Sequence, residues 1–310
     1  MDSQLKGRDF LSLKDFSAGE IKYLIDLAVK LKAEHKRGVR HDILQGKTLA
    51  MIFQKASTRT RVSFEVGMFQ LGGMAHFLST QDLQIGRGEP ISDTARVLSR
   101  YVDGILIRTY AQSEVEELAK YADVPVINGL TDKYHPTQAL ADMLTILEHK
   151  RKLSGIKLAY IGDGNNMAHS LMIAGTKLGQ EVRVATPKGY EPLPEVVEMC
   201  MAFAKESGAK LILGNDPEEA CFGADVLYTD VWASMGQEQE AEERKKYFQG
   251  FQINDKILRL ADRNAIVMHC LPAHRGEEIA EEVMEGPQSV VFDEAENRLH
   301  AHKAILAALL

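Results

Sequence analysis

Five consecutive residues, Ser57-Thr58-Arg59-Thr60-Arg61, combine three hydroxyls with two guanidinium groups. They follow the apolar run 49–53, so we expect a strand to end there and a helix to begin at the hydroxyls. Helix N-termini carry free backbone N–H groups and a partial positive charge, and they therefore attract anions. Arginine adds forked donors that match a phosphate. The stretch predicts a phosphate cradle, although an ordinary Ser/Thr helix cap with two solvated arginines has the same residues.

Two further motifs in the first half place polar groups at the ends of elements. Arg108 ends a predicted strand, where a parallel sheet presents its ligand site; a surface arginine at a strand end is the alternative. The motif His135-Pro136-Thr137-Gln138 opens a predicted helix and sets an imidazole and an amide about one turn apart. Both groups can hydrogen-bond a planar carbonyl or amide. Helix capping with a satisfied histidine is the alternative for that motif.

A glycine-rich turn, Gly162-Asp163-Gly164-Asn165-Asn166, lies between a predicted strand and a predicted helix in the second half. It resembles the start of a dinucleotide-binding fingerprint, but Met167 stands where the third glycine belongs. NAD binding is therefore poorly supported. Asn166, at the helix start, is instead a candidate for holding a carboxylate or an amine of a small substrate.

Two strand tips in the second half carry further chemistry. Asp230 can take an ammonium group, and the loop Ser234-Met235-Gly236 that follows it offers backbone groups to a ligand. An ordinary loop is the alternative. Cys270 sits at the other tip, where a ligand would arrive, although a buried cysteine is usually only a small hydrophobe. We expect Asp230 as its neighbour rather than His269, which should point to the opposite face of the strand. A Cys–His protease is therefore disfavoured.

The elements that must position these groups alternate along the chain between strand-like and helix-like stretches. Strands are expected near 48–53, 74–78, 104–108, 124–127, 157–161, 181–185, 210–214, 225–229, 265–269 and 289–292. Helices are expected near 17–34, 58–71, 92–101, 113–122 and 136–150, and Arg298 should open a last one. This alternation predicts an α/β fold with two doubly wound parallel-sheet domains joined by interdomain helices. The expected domains are 1–147, completed by the last helix at about 293–310, and 148–292.

Length and composition exclude several classes of protein. The 310 residues suit two domains, and 45% hydrophobic with 26% charged residues is typical of a globular protein. A net charge of −7 argues against a nucleic-acid partner. The three cysteines form no CxxC pair, which favours a reducing, cytoplasmic location. No secretory signal and no membrane-spanning run are expected.

In this order and spacing, the motifs resemble the aspartate/ornithine carbamoyltransferase family. Residues 57–61 are similar to the family's carbamoyl phosphate motif, and residues 135–138 to its second motif. Asp230 with the Ser-Met-Gly loop, and His269-Cys270-Leu271-Pro272, resemble the loop and strand tip of the ornithine-type members. Aspartate-type members carry His-Pro-Leu-Pro at that tip and lack the loop. The resemblance covers the chain from about Leu5 to the last helix.

The resemblance implies a set of residues for each of two substrates. Carbamoyl phosphate would be bound by Ser57, Thr58, Arg59, Thr60, Gln84, Arg108, His135, Gln138, Cys270, Leu271 and Arg298, with Gln84 lent by a neighbouring subunit of a homotrimer or an assembly of trimers. L-ornithine would be bound by Asn166, Asp230, Ser234 and Met235. The residues implied in catalysis are Arg108, His135, Asp230 and Cys270.

The reaction implied by the resemblance is transfer of the carbamoyl group to the δ-amine of L-ornithine, which gives L-citrulline and phosphate. Negative charge develops on the carbamoyl oxygen and on the leaving phosphate, and preorganised arginine, histidine and hydroxyl donors stabilise it. No metal and no organic cofactor is expected. A carbamoyltransferase for another amine and a non-catalytic carbamoyl phosphate-binding paralogue are the alternatives.

Overall fold

A computed structural model of the chain describes residues 5–234 and 240–310. The backbone divides into two compact units. The first unit is Met1–Leu144 with Glu296–Leu310, and the second is Thr145–Ala295. The assignment of the predicted domains, 1–147 and 148–292, to two different substrates remains a prediction.

The first unit is built on a four-stranded parallel sheet with the strand order β2-β1-β3-β4. Its strands are β1 (Thr48–Phe53), β2 (Met74–Ser79), β3 (Gly104–Arg108) and β4 (Val126–Leu130). The chain winds outward from β1 to β2 and then returns to β3 on the other side of β1. Ligands of open α/β sheets bind beyond the carboxyl ends of the strands at such a reversal. In this sheet the reversal pairs Phe53 with Arg108.

The second unit repeats the arrangement with five parallel strands in the order β7-β6-β5-β8-β9. These are β5 (Lys157–Ile161), β6 (Glu181–Ala185), β7 (Lys210–Gly214), β8 (Val226–Thr229) and β9 (Ile266–His269). The winding reverses between β5 and β8, so their carboxyl ends mark the expected ligand position. Both sheets therefore confirm the prediction of two parallel-sheet α/β domains.

Helices connect the strands of both sheets. They are α1 (Ala18–Lys36), α2 (Thr58–Gln70), α3 (Ile91–Leu98), α4 (Gln112–Tyr121), α5 (Pro136–Lys150), α6 (Asn166–Lys177), α7 (Pro194–Ser207), α8 (Pro217–Cys221), α9 (Ala241–Tyr247), α10 (Asp255–Leu260), α11 (Glu281–Met284) and α12 (Val291–Leu309), with 3₁₀ turns at Leu13–Asp15 and Gln84–Arg87. The division into two units falls within α5 and within α12. Within the described ranges, none of the helices is long and apolar enough to cross a membrane.

Local sequence explains where these helices begin. The side chain of Ser17 accepts from the Glu20 backbone N–H, and Glu20 bonds back, which completes the capping box that opens α1. Ser57 caps α2 by accepting from the Thr60 N–H. All five residues of β3 are buried, as expected for a central strand covered by helices on both faces.

The predicted strand at 289–292 is wrong. Ser289 makes one isolated bridge to Val267, and α12 begins two residues later at Val291. The apolar run misled because Val291 is buried in the first helical turn, while Asp293 and Glu294 favour a helix N-terminus. For the same reason Arg298 does not open the last helix but lies in its interior.

Candidate functional site

The first cluster of predicted residues lies at the start of α2, beyond the carboxyl end of β1. Ser57 has extended backbone angles and caps the helix, so the first-turn N–H groups are collected behind it. Thr60 is fully buried, whereas Thr58 is exposed and Arg59 is half-buried. The arrangement is a helix N-terminus with hydroxyls and a guanidinium, which suits an anion.

Arg298 links this helix start to the second motif. Its guanidinium is 97% buried and donates to Thr60 Oγ1 at 2.8 Å and to Gln138 Oε1 at 2.7 Å. Gln138 in turn donates from Nε2 to Asp142 Oδ1 at 2.8 Å, which fixes the orientation of its amide. Three residues that were predicted separately, 60, 138 and 298, are therefore joined in one network.

His302 completes the network around Arg298. Arg298 Nε donates to His302 Nε2 at 3.3 Å, so the proton of this imidazole is on Nδ1, which lies 2.8 Å from Ser63 Oγ. The Ser63 hydroxyl then donates to the Arg59 carbonyl at 2.6 Å. Burial and the nearby Arg298 charge hold the pKa of His302 well below its ordinary value. A neutral histidine thus connects Arg298 to the backbone of the predicted phosphate motif.

His135 is buried at the start of α5, where Thr137 Oγ1 lies 3.4 Å from its Nδ1. Burial, and then the charges of Arg298, Arg108 and Arg59, lower the pKa of His135 well below 6.5. The imidazole is therefore neutral near pH 7 and can act as a hydrogen-bond partner without adding another positive charge.

Arg108 is buried at the end of β3, beside the end of β1 in the sheet register. Its carbonyl accepts from the Gln54 N–H at 2.9 Å, which ties the strand end to the chain that leads into α2. Gln84 is exposed on the 3₁₀ turn Gln84–Arg87, and none of the described hydrogen bonds joins it to a residue of this cluster.

Arg61 does not belong to the cradle, contrary to the expectation of two arginines there. Its guanidinium lies 3.6 Å from the centre of the Phe77 ring, and its Nε pairs with Glu65 at 3.2 Å. The helical period explains this, because a residue two positions after Arg59 faces another side of α2.

A second cluster lies at the strand tips of the second unit. Cys270 Sγ donates to Asp230 Oδ1 at 3.0 Å, which confirms the expected pairing of these two side chains. Asn165 Nδ2 donates to Asp230 Oδ2 at 2.9 Å, and the Val231 N–H also donates to Oδ1. A 93%-buried carboxylate held by three donors is a well-placed acceptor for an ammonium or amine group.

The remaining predicted residues of this unit are only partly placed. Asn166 is buried at the first position of α6, one residue after the Asn165 cap, and Ser234 is half-buried. Met235, with the glycine that follows it, lies outside the described residues. Leu271 is half-buried beside Cys270 and has a backbone φ of +58°.

Gly164 has a packing role that explains the incomplete dinucleotide fingerprint. A Cβ there would lie 2.4 Å from the backbone of Glu191 and of Pro192, so only glycine fits. The helix start that follows is capped from within, since the Asn165 side chain accepts from the N–H groups of Met167 and Ala168. A dinucleotide phosphate would need those N–H groups, which agrees with the weak support for NAD.

Two groups of described side chains bring three possible metal-ligand atoms within 4.8 Å of one another. In the first, formed by Asp230, His269 and Cys270, both imidazole nitrogens are already hydrogen-bonded, to Glu278 and to the Leu271 N–H. In the second, formed by His274, Glu277 and Glu278, Glu277 pairs with Lys245 at 3.0 Å. The first group would have to give up an existing imidazole bond to hold a metal.

An imidazole nitrogen of His269 lies within 4.8 Å of the Cys270 thiol, which is closer than expected. The prediction that it points to the opposite face fails because Cys270 is already beyond the strand, where the turn at Leu271 ends the two-residue alternation. Its engaged nitrogens nevertheless argue against a Cys–His nucleophile pair.

Sequence reasoning missed Asn165, Asp142 and His302. Asn165 stood in the quoted turn, but its neighbour Asn166 was chosen, although an Asn directly before a helix is a common cap. The roles of Asp142 and His302 depend on contacts with residues distant in sequence, and nothing in their local pattern marks them.

Electrostatically, the two clusters differ in sign. The first gathers Arg59, Arg108 and Arg298 around a helix N-terminus, which suits a phosphate ester or anhydride. The second centres on Asp230 with Asp163 nearby; burial, opposed by Arg244, raises the pKa of Asp163 to about 6. Asp163 is paired with Arg244 at 2.9 Å, so Asp230 is the carboxylate of this cluster that suits an amine. The first cluster can stabilise a leaving phosphate, and the second can orient a nucleophilic nitrogen.

Two family models together match nearly the whole chain. Residues 8–148 match the model described as "Aspartate/ornithine carbamoyltransferase, carbamoyl-P binding domain". Residues 154–309 match "Aspartate/ornithine carbamoyltransferase, Asp/Orn binding domain".

Similar proteins of known name cover the full length. The chain is 62% identical over 307 residues to an ornithine carbamoyltransferase of Anoxybacillus flavithermus, which covers 99% of this chain and 98% of that protein. It is 60% identical over 310 residues to one of Carboxydothermus hydrogenoformans, covering all of both. The solved structure of ornithine carbamoyltransferase from Pyrococcus furiosus superposes with a TM-score of 0.96 at 59% identity, over 98% of this chain and 97% of that one.

Proposed function

This chain belongs to the aspartate/ornithine carbamoyltransferase family, and we propose that it carbamoylates L-ornithine: carbamoyl phosphate and L-ornithine give L-citrulline and phosphate. The observation that carries the proposal is the Arg298 network. One buried guanidinium binds both a hydroxyl at the phosphate-type helix start and the amide of the second motif. A ligand with a phosphate at one end and an amide at the other matches that pair.

Carbamoyl phosphate is assigned to the first cluster. The helix start with Ser57, Thr58, Arg59 and Thr60 holds the phosphate, and Arg108 bridges the phosphate and the carbamoyl oxygen. Charge-assisted bonds from arginine to phosphate oxygens are among the strongest that proteins make. Arg298 completes the cationic side.

The carbamoyl end is assigned to His135 and Gln138. His135 is neutral near pH 7 because its pKa is lowered, so its N–H donates to the carbamoyl oxygen as a neutral donor. Gln138 uses its NH₂ on Asp142, and we assign its Oε1 to the carbamoyl NH₂. The carbonyls of Cys270 and Leu271 are further acceptors for that group in this proposal.

L-ornithine is assigned to the second cluster. Asp230, Asn166, Ser234 and Met235 bind its α-amino and α-carboxylate groups, and the Cys270–Asp230 pair helps to orient the δ-amine. The neutral δ-nitrogen attacks the carbamoyl carbon, a C–N bond forms, and the bond to the phosphate oxygen breaks. The leaving phosphate is itself a proton acceptor, so the amine proton passes to it or to the Cys270–Asp230 pair.

We also propose a homotrimer in which Gln84 of one subunit contributes to the site of its neighbour. Gln84 is exposed on a turn that follows the edge strand β2, and Met74 on the same strand is 58% exposed. The test is complementation between two inactive variants, Arg59→Ala and Gln84→Ala. The two are mixed, dissociated and reassembled, so that some sites combine the native Arg59 of one subunit with the native Gln84 of another. Partial recovery of activity supports a shared site, and no recovery with intact trimers contradicts it.

The decisive experiment for the reaction is citrulline formation by the purified chain. Carbamoyl phosphate is supplied with L-ornithine, and in parallel with putrescine, N-acetylornithine and L-aspartate. We expect carbamoylation of L-ornithine to exceed that of the other amines by kcat/KM. Faster carbamoylation of another amine would change the substrate, and no product with any amine would favour a non-catalytic binding protein.

A further inference from the structure

Glu278 and His269 lie beside the Cys270–Leu271 turn, and both are fully buried. Glu278 Oε1 accepts from His269 Nε2 at 3.0 Å and from the His274 backbone N–H at 2.6 Å. His269 Nδ1 accepts from the Leu271 backbone N–H at 2.9 Å. A single carboxylate oxygen is thereby connected to both ends of the turn.

The hydrogen bonds determine where the proton of His269 is. Because Nδ1 accepts from a backbone N–H, it carries no proton, and Nε2 must be the donor to Glu278. His269 is therefore a neutral imidazole in one tautomer. A second buried carboxylate, Glu294, accepts from the His269 backbone N–H at 2.9 Å and from the Tyr228 hydroxyl at 3.1 Å. Glu294 therefore holds the backbone of His269, and the ring cannot turn without breaking its own bonds to Glu278 and to the Leu271 N–H.

The turn held in this way is unfavourable on its own. Leu271 has a φ of +58°, a left-handed conformation that a residue with a branched side chain rarely adopts. Such a conformation persists only where its surroundings impose it, and it is typical of binding sites. Burial of a carboxylate is costly as well, and the half-exposed imidazole of His274 lies 3.8 Å from Glu278 Oε2. Both features occur at the turn that bears Cys270.

We propose that Glu278 is a positioning residue, which acts through the tautomer of His269. It holds Leu271 in its left-handed conformation and so places the Cys270 thiol 3.0 Å from Asp230 Oδ1 and fixes the direction of the Cys270 and Leu271 carbonyls. The effect of Glu278 on citrulline formation rests on the proposed function, whereas its effect on the position of the Cys270 thiol does not.

The preceding residue, Glu277, is a matched control. It is one-third exposed and pairs with Lys245, so it has the same side chain but lies outside the hydrogen-bond network of Glu278, His269 and Leu271. Two substitutions separate position from charge. Glu278→Gln keeps an oxygen acceptor at the same length without the charge, and Glu278→Asp keeps the charge but withdraws the acceptor by one methylene.

The readout is the rate of Cys270 alkylation by iodoacetamide, followed by peptide mass spectrometry. Cys200 and Cys221 are buried, and burial raises the pKa of both thiols to about 12, so they react slowly and serve as internal references. In the Glu278→Asp variant the Cys270 thiol is no longer held against Asp230. We therefore expect iodoacetamide to alkylate Cys270 about 5- to 30-fold faster in this variant than in the parent. We expect Glu278→Gln, Glu277→Gln and Glu277→Asp to stay within about twofold.

Citrulline assays on the same variants should show a lower kcat for Glu278→Asp, with recovery in Glu278→Gln. Equal alkylation of the parent and Glu278→Asp, with unchanged melting, would overturn the positioning role and leave the proposed function intact. Equal acceleration by Glu277→Asp would overturn it too. If the parent makes no citrulline but Cys270 is still alkylated faster in Glu278→Asp, the positioning role of Glu278 is supported and the proposed function is rejected.

Discussion

The exchange Arg298→Lys tests the central assignment most directly. Arg298 donates from one planar group to Thr60, Gln138 and His302. A lysine keeps the charge but offers a single nitrogen on a flexible stem, so it cannot reproduce the fork. We expect it to keep one of the three bonds.

The magnitude follows from the two bonds that are lost. A hydrogen bond to a charged group contributes about 1.5–3 kcal/mol, and at least one of the lost partners, Gln138 or Thr60, is left buried. Taking the lower value for each bond gives about 3 kcal/mol. Thr60 and Gln138 are assigned to the two ends of carbamoyl phosphate, so we expect the loss of their shared anchor to weaken transition-state binding by a similar amount. At about 1.4 kcal/mol for each factor of ten, kcat/KM for carbamoyl phosphate should then fall by about a hundredfold.

The assay is initial-rate citrulline formation at varied carbamoyl phosphate and saturating L-ornithine, with thermal melting to monitor folding. Arg96→Lys is the control, because Arg96 is an exposed arginine of the same unit that pairs with Asp93 at 3.1 Å. It should change kcat/KM by less than about twofold. A folded Arg298→Lys variant within about threefold of the parent would refute the reasoning.

Three further changes test other parts of the molecule. Arg59→Ala should abolish citrulline formation without a change in melting temperature, because the half-buried guanidinium is assigned to the phosphate; activity within about threefold of the parent would contradict this. Asp230→Ala should raise KM for ornithine far more than KM for carbamoyl phosphate, and equal changes would mean that the substrates are misplaced. Burial, with the nearby Lys32 charge, lowers the pKa of His300 to about 4. The unfolded chain therefore takes up this proton before the folded chain does, so the contribution of His300 to the unfolding free energy is complete above pH 6.5 and is lost as the pH falls toward 4. His300→Gln should therefore lose less unfolding free energy between pH 7 and 5 in urea titrations, and an unchanged pH dependence would contradict the shift.

The sequence predicted most strands of both sheets, including the edge strand β7. The runs at 48–53, 104–108, 157–161, 181–185 and 210–214 match β1, β3, β5, β6 and β7 to the residue. Strands covered by helices on both faces are apolar without interruption, so composition alone marks them. The chemistry at their ends was equally visible, because ligand sites of parallel sheets lie there.

Contacts between distant parts of the chain were not predictable. Arg298 meets Thr60 across 238 residues, and only the fold brings them together. Arg61 illustrates the opposite error, since it has the right type and a neighbouring position but turns onto Phe77. The failed strand at 289–292 shows that a short apolar run does not distinguish a strand from the first turn of a buried helix.

The two clusters show how one topology serves ligands of opposite charge. Each lies at the reversal of its sheet and beside a helix N-terminus, a place that by itself attracts anions. At α2 the cap is Ser57, whose hydroxyl accepts from the Thr60 N–H, and arginines add to the positive end of the helix. At α6 the cap is Asn165, whose oxygen occupies the N–H groups of Met167 and Ala168 and whose NH₂ holds Asp230. The cap therefore masks the positive helix end and presents a carboxylate in its place, so the fold determines where a ligand binds and the residue at the cap determines the charge it must carry.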